Sequence, residues 1–85
     1  PSPFNPVTAV EYALPSDCRV TLRVYNILGE CVATLVERTE VAGVHSATWD
    51  AGAMASGIYM LRLEATGLGS TTETHTFTKK ALLLK

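Results

Sequence analysis

Eighty-five residues, 47% hydrophobic and 18% charged, exclude a disordered tail and make one domain near the low end for a self-sufficient core. Seven basic against eight acidic residues leave a net charge of −1, which argues against nucleic acid and against a polyanionic lipid surface. No apolar run approaches the roughly 20 residues of a membrane-spanning helix, and no basic-then-apolar leader opens the chain.

The predicted elements are strands throughout. Val10, Tyr12 and Leu14 alternate with Ala9, Glu11 and Ala13 until Pro15-Ser16-Asp17 breaks the run. Val20, Leu22 and Val24 then oppose Arg19, Thr21 and Arg23, the pattern of a half-buried antiparallel strand. Tyr25-Asn26-Ile27-Leu28-Gly29-Glu30 turns the chain, with Gly29 free to take a positive φ. A third strand spans Cys31 to Val36, where Val32, Ala33, Leu35 and Val36 choose no single face; burial on both sides or a bulge is expected. Glu37-Arg38-Thr39-Glu40 reads as a solvated connection and Gly43 as the next turn.

Val44 to Trp49 forms a fourth strand, with His45, Ala47 and Trp49 on one parity, and Asp50-Ala51-Gly52 ends it. After a short loop, Gly57 launches a fifth strand in which Tyr59, Leu61 and Leu63 oppose Ile58, Met60 and Arg62. Gly67-Leu68-Gly69-Ser70 turns the chain into a sixth strand, Thr72 to Leu84. A seventh strand is expected near residues 2–6 or 51–55. Short strands divided by turn signals indicate an all-β sandwich, its core carried by Val20, Leu22, Val24, Tyr59 and Leu61.

Catalytic chemistry finds little to work with. His45 reads as a packed sandwich residue beside Trp49 and His75 as a surface residue among threonines. Ser46 follows His45 directly, so the two point to opposite faces and form no nucleophile pair. The carboxylates are scattered, no calcium loop is present, and the glycines lack the strand–loop–helix setting that cradles phosphate. Cys18 and Cys31, with twelve residues between them, match no zinc motif; a disulfide stays open, and two small half-buried residues on neighbouring strands is the favoured reading. Trp49 reads as core in preference to a sugar-stacking platform. The domain is therefore expected to be no enzyme and to need no cofactor or metal.

The tail carries the functional interest. Thr76, Thr78, Lys80, Leu82 and Leu84 share one face, and Phe77, Lys79, Ala81, Leu83 and Lys85 the other, so both faces turn apolar only at the end. An outward strand edge with terminal lysines suits recognition by strand addition.

Several segments occur in a telling order: Pro3-Phe4-Asn5-Pro6, the stretch from Val20 to Gly29, Val32-Ala33-Thr34-Leu35-Val36, Ala42-Gly43-Val44-His45 with Trp49-Asp50, Ala55-Ser56-Gly57-Ile58-Tyr59, and Lys80 to Lys85. This series resembles the type A C-terminal sorting domains of the Por (type nine) secretion system, relatives of the Ig-like domain of the flagellar hook-capping protein. Ser2 stands where those domains usually have asparagine, and Ala81 where a methionine is often found. The resemblance implies a small immunoglobulin-like antiparallel β-sandwich of six to seven strands covering residues 1–85, a fragment of a larger secreted protein. The opening Pro1-Ser2-Pro3, without methionine, agrees with that expectation.

It further implies an upstream passenger domain that enters the periplasm by its own signal. An outer-membrane secretion translocon and surface-attachment machinery then recognise the folded domain, and the product ends at the cell surface or outside the cell. Gly57 and Tyr59 would act through strand geometry and packing, Lys80 and Lys85 by direct contact. The alternative is an accessory Ig-like spacer, or a cell-surface polysaccharide or cell-attachment module of a secreted hydrolase such as a glycoside hydrolase.

Overall fold

Apolar residues spaced by two become strands wherever one face can be buried, and this chain lays down six. The computed structural model describes residues 7–70 and 72–85. The strands are β1 (Val7–Leu14), β2 (Cys18–Tyr25), β3 (Cys31–Glu40), β4 (Gly43–Asp50), β5 (Gly57–Gly67) and β6 (Thr74–Leu83). Every pairing is antiparallel. β1 pairs with β4 in a two-stranded sheet, and the other four form a sheet in the order β3-β2-β5-β6. The expected all-β Ig-like sandwich is observed, with no helix among the described residues.

The core lies where the two sheets face each other. Val20, Leu22 and Val24 of β2 are buried and stand opposite Ala65, Leu63 and Leu61 of β5. Tyr12 and Leu14 of β1 and Trp49 of β4 close over them, with Val36, Tyr59 and Leu83 completing the cluster. Each fully buried aliphatic side chain contributes about 1.5–3 kcal/mol, so this β2–β5 centre dominates the stability of a small domain.

Several sequence expectations need correction. β3 does not stop at Val36. It runs on through the charged stretch to Glu40, whose side chain is buried. The mixed apolar pattern of β3 is a bulge signature: the register against β2 shifts between Leu22 and Arg23 and again between Val24 and Tyr25, leaving Leu35 and Val32 without opposite residues. β5 extends beyond Leu63 to Gly67, and β6 covers Thr74–Leu83, shorter than the expected span at both ends. Residues 51–55 form turns and no seventh strand; residues 2–6 lie outside the described residues.

Gly29 (φ 81°) and Gly43 (φ 127°) occupy the left-handed region, as turns at those places require. At Gly29 the Asn26 carbonyl accepts the Gly29 amide at 3.0 Å, while the Asn26 side chain accepts from the Leu28 and Glu30 amides. The cysteines are both free. Cys18 lies opposite Glu40 at one end of the β2–β3 ladder and Cys31 opposite Tyr25 at the other, about 20 Å apart at strand rise, far beyond disulfide reach. Cys18 is buried and Cys31 exposed, so the half-buried expectation holds for neither.

Candidate recognition edge

β6 borders the four-stranded sheet, pairing with β5 on one side and with no other strand among the described residues. Its ladder to β5 runs through ten residue pairs, Gly57 opposite Leu83 to Thr66 opposite Thr74, without a register shift. The alternation read from the sequence is real, but the two faces differ in fate. Leu83 is 6% exposed and anchors the strand in the core, whereas Leu82 on the opposite face is 65% exposed. Leu84 and the neighbouring Ile58, which lies directly across from Leu82, are exposed as well. Ile27 and Leu28, at the β2–β3 turn, stand exposed at the same end of the sheet, since Tyr25 pairs with Met60 and Met60 with Lys80.

Of the four residues singled out from sequence, three gather around the loop between β4 and β5. Tyr59 is buried edge-to-face against Trp49, with ring centroids 5.2 Å apart and planes at 62°. Its hydroxyl donates to the Ala55 carbonyl at 2.6 Å. Lys85 ties the chain end to the same loop: its backbone amide donates to Ser56 Oγ at 3.0 Å and its ammonium to the Gly52 carbonyl at 2.5 Å. Gly57 begins β5 opposite Leu83, outside the left-handed region, and an added Cβ would meet only Tyr59 Cε2 at 3.9 Å. Gly57 thus starts β5 as the sequence suggests, without a positive φ.

Lys80 stands apart from this loop, exposed on the outer face opposite Met60. Sequence reasoning missed Gly52 and Ser56, the acceptors that hold the tail, and Ala55, which accepts from Tyr59. The signal for the loop was Asp50, whose carboxylate accepts the Gly52 amide at 3.0 Å and sets the turn.

Charge along the tail is segregated. All three lysines of the chain fall at positions 79, 80 and 85, while the other four cations are arginines. Arg23, Arg38 and Arg62 pair with Glu37, Glu40 and Glu64, and none of the lysines joins an ion pair among the described residues. On the inner face, Phe77 is 63% exposed, because the two-stranded layer does not reach over it. A cleft of about 380 Å³ opens there, floored by Leu22, Leu61 and Leu63 and walled by Val10, Tyr12 and Phe77. Its lining is mostly apolar, with Glu11 and Lys79 also contributing to its walls.

A second polar feature sits at the far end of the sheet. The buried Glu40 carboxylate accepts from the Tyr12 hydroxyl and from Arg38, and His45 Nδ1 lies 3.6 Å away. Burial pushes this carboxyl up, but the Tyr12 hydrogen bond, Arg38 and the His45 charge outweigh it and hold the group below its ordinary value. Burial and Glu40 in turn raise the Tyr12 phenol. His45 Nε2 donates to the Val41 carbonyl at 2.6 Å, and its ring stacks on Tyr12 at 5.8 Å. The cluster fastens β3 to β1 and β4, so it joins the two sheets. Its groups face inward or one another and serve the fold. Among the described residues no three His, Cys, Asp or Glu side chains gather as metal ligands.

No curated protein and no solved structure matches the chain. The family model of the FlgD Ig-like domain matches residues 6–69, three quarters of its length. That match spans β1 to β5 and ends before β6, so it covers five of the six strands. The chain belongs to the FlgD Ig-like domain family.

Proposed function

We propose that this domain is the C-terminal sorting and surface-attachment signal of a larger exported protein, read by the outer-membrane machinery of a Por (type nine) secretion system. The ordered sequence segments support the pathway. The observation that carries the recognition step is the β6 edge: an unshifted strand with no second partner strand among the described residues, Lys79 and Lys80 outside any ion pair there, and exposed Leu82 and Leu84. On this reading the domain performs no catalysis itself, and any reaction belongs to an upstream passenger. The finished product lies at the cell surface or outside the cell.

On this reading Lys80, exposed on the outer face, makes the contact with the translocon. Lys85, Tyr59 and Gly57 hold the tail in position. The polysaccharide-binding alternative loses its best residue, since Trp49 is 4% exposed and packed against Tyr59.

Fusing residues 1–85 to a periplasmic reporter, in a bacterium that carries this secretion system, tests the proposal. Export of the reporter is expected; retention in the periplasm sinks it. Binding of the 85-residue chain to insoluble polysaccharide, together with retention, would favour the attachment module.

A further inference from the structure

The chemistry of the partner can be narrowed by asking what the β6 edge offers. An added strand places each of its side chains beside the β6 residue directly opposite, on the same face of the sheet. The inner face of β6 presents Phe77 and Lys79, and the outer face Lys80 and Leu82, all exposed. The two lysines are consecutive, so they offer one positive charge to each face at the middle of the edge. An apolar group flanks them two residues away on each side. Among the described residues neither lysine lies within ion-pair distance of a carboxylate, although Glu11 lines the same cleft as Lys79.

Resting on the sorting reading above, we infer that the partner contributes an extended strand with two consecutive acidic residues, flanked two positions away on each side by an apolar one. Acidic side chains meet Lys79 and Lys80, and the apolar ones cover Phe77 and Leu82. Because the pattern is symmetric, it reads the same for parallel or antiparallel addition. A helix or a small anion meets only part of this surface, since neither satisfies a row of free backbone groups. The competing role for edge lysines is protective: charge on an open strand keeps copies of the same chain from pairing. That role requires no acidic partner, and the experiment separates the two.

The 85-residue chain, labelled for amide NMR, is titrated with the octapeptide Ser-Val-Ser-Asp-Asp-Ser-Val-Ser and with its counterpart carrying Lys-Lys at the centre. Shifts confined to Thr76–Leu84 are expected with the acidic peptide, weakening with added salt. The basic peptide should bind about three- to tenfold more weakly, the scale of two exposed charge pairs. The double variant Lys79→Glu with Lys80→Glu should reverse the preference. Equal binding of both peptides, no binding at millimolar concentration, or shifts centred on β3 would overturn the inference. So would a Lys79→Gln, Lys80→Gln variant that self-associates yet binds the acidic peptide unchanged.

Export of the reporter fusion is followed in parallel. Normal export by the lysine-to-glutamine variant removes the acidic partner while leaving the sorting reading intact. No export by the unaltered domain removes the sorting reading, whatever the peptides do.

Discussion

The four-stranded sheet has two edges, and they are built differently. β3 is bulged twice and is bound to the other layer through Glu40, Tyr12 and His45, while Arg23 and Glu37 pair across its ladder at 2.9 Å. β6 is regular along its whole length, tied at its start by the Thr66–Thr74 hydroxyl bond and at its end by Leu83 and Lys85, and its Lys79 and Lys80 join no ion pair among the described residues. Bulges twist an edge out of line and close it to further pairing; charge alone leaves the backbone of a flat edge available. One edge is broken by bulges, and the other keeps a regular ladder with no second partner strand among the described residues.

The comparison can be broken first at the anchor. Leu83→Ala should cost about 2–5 kcal/mol in urea unfolding, against a change within about 0.5 kcal/mol for Leu82→Ala one residue away. Equal losses would mean that the tail is not held by a single inward face. At the closed edge, Glu40→Gln should cost about 1–3 kcal/mol, because it weakens the bonds from Tyr12 and Arg38 to that buried carboxylate. The pH response gives a second readout. A carboxyl held low in the folded state stabilises above its unfolded value near pH 4.3, and that stability is lost as pH falls through the lowered value. Acid unfolding should therefore be less steep in Glu40→Gln than in the unaltered chain. An unchanged profile would deny Glu40 its part in fastening the edge.

Smaller effects sharpen the picture at the tail. Tyr59→Phe removes the bond to the Ala55 carbonyl and should cost about 0.5–1.5 kcal/mol by thermal unfolding, with the ring packing on Trp49 retained. Lys80→Gln should leave stability within about 0.5 kcal/mol of the original and yet reduce export of the reporter fusion. A loss of stability there would make Lys80 part of the scaffold instead of the contact.

The alternation of Val20, Leu22 and Val24 and of Tyr59, Leu61 and Leu63 was enough to place β2 and β5, because burial of one face enforces a period of two. The double apolar steps at Val32-Ala33 and Leu35-Val36 left burial on both sides or a bulge open, and the register shifts decide for bulges. Glu37 to Glu40 misled, since a charged run normally lies in water; what surrounds Glu40 is a phenol 28 residues away together with Arg38 and the His45 ring. The holding contacts of Lys85 were invisible for the same reason, as Gly52 and Ser56 lie 33 and 29 residues back along the chain. The open cleft beside Phe77 follows from unequal layers, a property of the pairing scheme that no single segment encodes.

That pairing scheme also orders events in time. β5 and β6 are joined by a short loop and zip as neighbours, whereas Leu14 must find Gly43 across two intervening strands before β1 and β4 can meet. Contacts between nearby stretches of chain form faster than those that close long loops. The terminal hairpin is thus poised to take shape early, presenting its lysines while the smaller layer is still being assembled.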